Sequence, residues 1–570
     1  MSYNNFNAAI YCPVGNLIDI KDIEAFAKRF EWIERNVKVG KVYLETYRGG
    51  TRIEAEQLKR VIAFFQSRGI ATSGGITTDT EDNGEGGFYP LCYTSPETRK
   101  MLTELVEFTA GFFDEIILDD FFFTNCKCKG CIQAKGQRTW AEFRLELLRE
   151  ISETVVVAPA KRVNPKVSVI IKYPNWYEHY QDCGYNPERQ PAIFDAVYTG
   201  TETRNPTYTQ QHLPKYLSYF NMRYHENTAP GRNGGGWFDP YECTYNLTSY
   251  AEQGYLTLLA KAKEATLFSL GSLLDAPFSL CIPVAGQVFS DMDDILPALG
   301  NPTGVACYLP FHSHGEDYLH NYLGMLGIPL EPSPAYPDKA KTVFLTESAA
   351  MDGNIVAKMQ HSLLDGGTVI VTSGFVRARQ REFSQLADIR HTGRKALVNR
   401  FAYSFDGGVT FGGCVTGEAP MLIPQLEYPT NDTWELIGAF GEDNSFPILV
   451  KTTYGDGRLF VLTVPEDYGT LYHLPRAVLA IIRGVFAANA PLTLDAPAKT
   501  ALFLYDNDTF VLRGFAPYYD TASVTVKGGS AVLKNLTTGQ IIPGRQDGDD
   551  TVFALRLAPG CNAAYGFGEK

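Results

Sequence analysis

Two adjacent aspartates and four cysteines mark the part of this 570-residue chain where side-chain type and spacing point most directly to chemistry. Asp119 and Asp120 close an apolar run, Ile116-Ile117-Leu118. Six residues on come Cys126, Cys128 and Cys131, as Cys-Lys-Cys-Lys-Gly-Cys, and Cys92 precedes them all. A buried strand that ends in two carboxylates delivers them to its C-terminal tip, the position from which parallel α/β folds do acid–base or nucleophilic work. Thiolates at spacings of two and three, with a fourth from an earlier loop, can surround a tetrahedral Zn²⁺. Four sulfurs leave no open position, so such a metal is structural and pins the loop after the fourth strand to the loop after the third. The competing reading is four reduced, unliganded thiols in a Lys-rich loop.

The elements that must position these groups alternate. Short apolar runs at 8–12, 41–47, 70–75, 115–119, 166–173, 195–199, 235–239 and 265–270 are predicted strands, and helical patterns at 22–35, 54–68, 96–112, 140–155 and 249–263 lie between them. Such alternation implies parallel pairing through crossovers. Eight units in the first 300 residues fit a (β/α)₈ TIM barrel. A doubly wound open sheet is the alternative, disfavoured because no Gly-rich turn follows the first strand. The predicted tips carry Glu45, Asp119-Asp120, Lys172, Glu202 in Gly-Thr-Glu-Thr-Arg, and Asp239 in Gly-Gly-Gly-Trp-Phe-Asp-Pro. Any one carboxylate can be a structural ion pair or a loop cap; four strand tips converging on one mouth are harder to explain that way. Arg48 and Arg204 are candidates for binding hydroxyls or an anionic substituent, and Trp237 for stacking on a sugar.

Residues 301–490 read as a second α/β domain, with strands at 304–310, 342–346, 367–372 and 457–464 and helices at 352–365 and 473–487. Its His312-Ser313-His314 is read as a loop in preference to a metal pair. Thr346-Glu347-Ser348 follows a strand, but no Cys is there, so no nucleophile elbow is evident. Residues 491–570 alternate apolar and polar positions between Asn, Asp and Gly turns, as in a small antiparallel β-sandwich.

Bulk composition narrows the function classes. A net charge of −13 argues against nucleic acid and against an anionic membrane surface. No run of about 18 apolar residues suggests a membrane span, and no secretory leader is seen. Eleven cysteines, an odd number, read as reduced thiols or metal ligands, which places the protein in the cytoplasm. The aromatic content of 13% suits either sugar stacking or large cores.

Paired carboxylates at a barrel mouth suit glycoside hydrolysis, in which one acts as general acid and the other as nucleophile or base. Apolar surroundings such as Phe121-Phe122-Phe123 raise a carboxyl pKa and favour the acid role. The order of domains resembles the glycoside hydrolase family 42 β-galactosidases: a barrel, an α/β domain similar to class I glutamine amidotransferases, and a small β domain. In that family one Cys precedes the fourth strand and Cys-x-Cys-x-x-Cys follows it, binding structural zinc. Cys92, Cys126, Cys128 and Cys131 occupy those places, and the resemblance spans nearly the full chain. The family carries Asn-Glu at the fourth tip, with the Glu as acid/base; Asp119-Asp120 stands there, so Asp120 inherits the role. The family nucleophile is a Glu at the seventh tip, where Asp239 is the nearest match and Glu242 lies three residues on.

A second layout resembles α-glycosidase barrels, with an Asp nucleophile at the fourth tip and the acid/base at the sixth, which pairs Asp120 with Glu202. Asp120 belongs to both. The resemblance implies an exo-acting glycosidase on small oligosaccharides or glycosides and a homo-oligomer, trimer or dimer, with a catalytically silent second domain. Glu45, Arg48, Asp119, Arg204 and Trp237 are the expected substrate-binding set. The alternative is a non-catalytic carbohydrate-binding relative; a metal-dependent hydrolase is a third and weaker reading. An Asp120 locked in a salt link away from any cavity counts against enzymatic function.

Overall fold

The computed structural model describes residues 2–80, 89–209, 211–404, 411–441, 444–528 and 531–569. The chain divides into two compact units, Met1–Leu296 and Pro297–Lys570.

The first unit is the expected barrel. Its strands are β1 (Asn7–Cys12), β2 (Lys41–Arg48), β3 (Ala71–Ile76), β4 (Glu115–Leu118), β5 (Ser168–Tyr173), β6 (Ala196–Gly200), β7 (Asn233–Phe238) and β8 (Glu264–Phe268). Each pairs in parallel with the next, and β1 pairs with both β2 and β8, which closes the sheet. Closure buries every strand on both faces, which explains near-continuous apolar runs in place of alternation. The surrounding helices start where side chains cap free N–H groups: Asp22 before Ile23–Asn36, Ser95 before Pro96–Ala110, and a Thr139/Glu142 capping box before Trp140–Ile151. The helix expected over 140–155 runs further, through a π-helical turn at Ser152–Val157 into Ala158–Val163.

Ala9, Tyr11, Tyr43, Ile117, Ile170, Tyr198 and Trp237 fill the barrel interior. At its lower end Glu264 accepts hydrogen bonds from the hydroxyls of Tyr43 (2.7 Å) and Tyr198 (3.0 Å) and pairs with Lys41 (2.9 Å). The large Tyr11 ring fits because β3 carries Gly75 beside it. A Cβ there would stand 2.6 Å from the Tyr11 hydroxyl oxygen and 2.8 and 2.9 Å from two ring carbons.

The second unit holds a nine-stranded mixed sheet. Five strands run parallel in the order Leu330–Ser333, Val305–Tyr308, Thr342–Leu345, Thr368–Thr372, Gly457–Leu462. Four antiparallel strands follow on: Ser445–Tyr454, Trp434–Phe440, Arg390–Tyr403 and Gly413–Glu427. The sequence reading had no strand between 390 and 454. Two antiparallel sheets formed by Leu492–Glu569 pack face to face, with Leu502, Phe510 and Tyr565 of one against Leu494, Val524 and Phe553 of the other. The short strand Pro302–Thr303 joins the first of these sheets.

Gly75→Ala is expected to displace the Tyr11 ring and lower stability by about 1–3 kcal/mol. Gly15→Ala, in a helix with nothing within 4 Å of the added Cβ, is the control and is expected to leave stability unchanged or raise it by up to about 1 kcal/mol. Urea unfolding of both variants checks this; equal midpoints would contradict it.

Candidate active site

Five strand tips bring their charged side chains to one mouth. Glu45 on β2 is fully buried and accepts from the Tyr11 hydroxyl (2.7 Å), from the Val14 N–H (2.7 Å) and from Thr77 Oγ1. A bulge in the β2–β3 register between Glu45 and Tyr47 slips the in–out alternation, so that Arg48 reaches the same side. Arg48 Nε lies 3.0 and 3.1 Å from the two Glu45 oxygens, and its Nη2 donates to Asp119 at 2.6 Å. Asp119, just beyond β4, also accepts from the backbone N–H of Asp120 (2.8 Å) and from Thr77 (3.2 Å).

Lys172 at the tip of β5 occupies the centre. Its Nζ lies 2.8 Å from Asp120 Oδ2, 2.9 Å from Glu202 Oε1 and 3.4 Å from Asp119 Oδ1. Its side chain is 2% exposed and lies 4.2 Å over the Trp237 ring. Two oxygens held this close to one nitrogen stand less than about 6 Å from each other, which brings the Asp120 and Glu202 carboxyls near the separation of a retaining pair. Asp120 is the most open carboxylate of this group, with 22% of its side chain exposed against 4% for Asp119 and 7% for Glu202.

Asp239, beyond β7, is held apart from this pair. Arg204 grips it through Nε (3.0 Å) and Nη2 (2.8 Å), the Tyr241 N–H donates to it (3.1 Å), and Glu242 lies 3.6 Å from the same guanidinium. Gln253 braces the two loops by accepting from the Arg204 N–H and donating to the Asp239 carbonyl.

Glu45, Asp119, Asp120, Glu202 and Asp239 face the three cations Arg48, Lys172 and Arg204 in poorly solvated surroundings. Burial alone would raise Asp119, but Lys172 and Arg48 outweigh it and bring the carboxyl down to about 2. Burial pushes Asp120 up to about 7 against the pull of Lys172, with repulsion from Asp119 and Glu202 adding to the rise. Burial also raises Glu202, and the neighbouring Asp239 adds to it. Lys172 stays charged: burial opposes the ammonium, but the surrounding carboxylates raise it well above the usual lysine range. The arrangement therefore combines a firmly ionised aspartate with two carboxyls that titrate as a linked pair and hold a proton near neutrality.

Lys172, a strand tip in the sequence but not one of the expected site residues, touches three of the acids. Tyr11 and Thr77, whose hydroxyls fix Glu45, are not among the expected residues either. Trp237 differs from expectation: it is 2% exposed, packed against Tyr11 (4.4 Å between centroids) and Phe268 (5.5 Å), with one face under Lys172. It supports the lysine and offers no open face to a sugar. Phe268 and Phe121 flank the Arg48 guanidinium, 5.9 and 5.5 Å from it.

The cysteines also converge. The Sγ atoms of Cys92, Cys126, Cys128 and Cys131 lie within 4.8 Å of one another, and Cys92 is 3.7 Å from both Cys128 and Cys131. Tetrahedral zinc with bonds of about 2.3 Å needs sulfurs about 3.8 Å apart, so the donor set and its spacing fit that ion. The Cys131 N–H donates to Cys128 at the start of helix Lys129–Lys135 and brings that thiol down to about 6.

Residues 1–282 match the catalytic domain, and residues 491–565 the C-terminal domain, of a family of probable glycosyl hydrolases. The chain therefore carries probable glycosyl hydrolase domains at both ends. Residues 300–467 match the second domain of the uncharacterized protein SSO3021. SSO3021 of Saccharolobus solfataricus is 25% identical over 499 residues, which cover 80% of this chain and 82% of that protein. Among solved structures, an α-L-fucosidase isoenzyme 2 from Paenibacillus thiaminolyticus superposes with a TM-score of 0.67 at 14% identity, covering 100% of this chain and 99% of its own. A β-galactosidase from Bacillus circulans sp. alkalophilus gives 0.66 at 11%, covering 99% of each chain. The GH42 β-galactosidase Gan42B gives 0.66 at 10%, covering 100% of this chain and 99% of its own. At these identities the likeness is one of fold, and it includes the TIM barrel and the sheet-rich C-terminal region expected from the sequence. Among the described residues no helix is long and apolar enough to cross a membrane.

The depressed Asp119 value carries a sign. A carboxyl at about 2 when folded, against an ordinary 3.8, adds stability above about pH 4 and loses it as the pH falls from 4 towards 2. Close to two units corresponds to about 2 kcal/mol. Asp119→Asn is therefore expected to shrink the stability difference between pH 6 and pH 2.5 by about that amount in urea unfolding; an unchanged difference would contradict it.

Proposed function

We propose that this protein is a retaining, exo-acting glycosidase of small oligosaccharides or glycosides, with Asp120 as nucleophile and Glu202 as general acid/base. One observation carries the choice: Lys172 joins Asp120 to Glu202 at short range, whereas Arg204 holds Asp239 in a two-point ion pair. The pair reacts from the form with Asp120 ionised beside Lys172 and the proton on Glu202, although burial and repulsion raise Asp120 to about 7 and so favour the other placement of that proton. Asp120 attacks the anomeric carbon while Glu202 donates its proton to the departing glycosidic oxygen, giving a glycosyl ester and a free alcohol. Glu202 then takes a proton from water, whose oxygen displaces the ester and regenerates the Asp120 carboxylate. Two inversions leave the anomeric configuration retained.

Glu45, Asp119 and Arg48 at one wall, and Arg204 with Asp239 at the other, are the proposed hydroxyl-binding groups. Trp237 serves them indirectly, from beneath Lys172. The four cysteines are proposed to hold a structural zinc ion, which ties the loop after β3 to the loop after β4. Residues 1–300, 301–490 and 491–570 are the proposed domains. The five parallel strands of the middle one support its amidotransferase-like reading. None of the eleven cysteines is in a disulfide, which supports the proposal of a cytoplasmic protein, and a dimer or trimer is proposed for its assembly.

The Asp120–Lys172 ion pair favours a second reading, a non-catalytic carbohydrate-binding relative, because a nucleophile tied to an ammonium is a weaker one. The 22% exposure of the Asp120 side chain, beside Glu202, weighs towards catalysis.

Asp120→Asn and Glu202→Gln are each expected to lower kcat on the best 4-nitrophenyl glycoside of a broad panel by about 10³-fold or more. Asp239→Asn is expected to be less damaging than either. Near-normal turnover by Asp120→Asn would remove the assignment. Calorimetric sugar binding without turnover of any glycoside by the native protein would favour the second reading. Metal analysis is expected to find one zinc per chain, lost in Cys131→Ser with a lower Tm; a zinc-free native protein of unchanged Tm would refute the metal site.

A further inference from the structure

Lys172 is a buried ammonium at the mouth for which glycoside hydrolysis by two carboxyls provides no step. Its Nζ is within ion-pair distance of Asp119, Asp120 and Glu202 at once, and its fourth neighbour is the Trp237 ring. A lysine acting as a nucleophile or Schiff base must lose its proton, and Asp119 together with the ionised member of the Asp120–Glu202 pair opposes that. Three acceptors are what the three N–H donors of any buried ammonium require, so the identity of the partners, not their number, bears on the reaction. This one bridges the two groups proposed to react, and it does so from β5, the strand between theirs.

We infer that Lys172 is a positioning residue that holds Asp120 and Glu202 at working separation and keeps one proton between them. This rests on the proposed roles of those two residues. Without the ammonium, two buried carboxyls less than about 6 Å apart would both stay protonated at neutral pH, since neither would have a cation to offset its burial. With it, one ionises and the other keeps its proton, the state from which attack and proton donation can occur together. Further charges around the pair are fixed. Arg48 is committed to Glu45 and Asp119, and Arg204 to Asp239. The neighbouring phenols of Tyr180 and Tyr185 are pushed well above their ordinary range by burial and remain neutral. Lys172 is therefore the cation that sets the ionisation of this pair.

Two variants and two readouts test the inference. Lys172→Met, with folding checked by near-ultraviolet circular dichroism, is expected to lower kcat on an aryl glycoside by about 100-fold or more, with KM changed by less than about threefold. The acidic limb of its pH–rate profile should move up by about one pH unit or more. Lys172→Arg keeps the charge but not the reach; it should keep the limb near its native position while kcat falls. An unmoved limb in Lys172→Met would overturn the inference. If Lys172→Met does not fold, a limb displaced in Lys172→Arg as far as that expected for the charge-free variant would overturn it instead.

The second readout needs no turnover. Infrared pH-difference spectra should show a protonated carboxyl near neutrality in the native protein, diminished in Asp120→Asn or Glu202→Gln. In Lys172→Met it should persist to higher pH. If the native protein hydrolyses no glycoside but this shift is seen, the glycosidase reading fails and the electrostatic role of Lys172 stands. If hydrolysis is seen and neither limb nor band moves, the reverse holds.

Discussion

A buried ammonium and the carboxylates around it depend on one another, and the barrel mouth is organised about that dependence. Lys172 is stable in a site it leaves only 2% exposed because Asp119, Asp120 and Glu202 surround it. Those acids are tolerated there because Lys172 and Arg48 offset their charge. Removing one partner from such a buried pair costs about 3–5 kcal/mol, so the members form a unit supplied by β2, β4, β5 and β6. The packing beneath follows from it. Trp237 gives the lysine stem and ammonium an aromatic floor, and Gly75 leaves room for the Tyr11 ring whose hydroxyl orients Glu45.

The walls of the mouth are fixed in two different ways. On one side the four sulfurs bring the segment before helix Pro96–Ala110 against the loop beyond β4, the loop that carries Asp120. On the other, Arg204, Asp239 and Gln253 lace the loops after β6 and β7 by hydrogen bonds and an ion pair. Both devices hold loop backbone that has no ladder of its own. The result is a preorganised set of charges on rigid strand tips, the condition under which electrostatic stabilisation of a developing oxocarbenium-like state is effective.

Much of this was legible in the sequence. The apolar runs leading to Glu45, Asp119-Asp120 and Lys172 placed those residues near strand tips, with strand ends off by one or two residues, because a strand buried on both faces reads as one continuous apolar run. The convergence of Cys92 with Cys126, Cys128 and Cys131 was legible from spacing. What is set across the barrel was not. Sequence order gives no distance from Lys172 to Glu202, so neither the place of the lysine among the acids nor the choice between Glu202 and Asp239 can be read from it. The inward aim of Trp237 and the β2 bulge that turns Arg48 into the mouth depend on register between strands. The strands Arg390–Tyr403 and Gly413–Glu427 were missed for another reason: along much of their length both faces are at least partly exposed, so no apolar alternation marks them.

The measurement that tests this account most directly is covalent trapping. Native protein incubated with fluorinated glycosyl fluorides of the sugar it turns over should accumulate a glycosyl ester, and peptide mapping by mass spectrometry should place the label on Asp120. A label on Asp239 or Glu202, or turnover with inversion and no trapped ester, would contradict it.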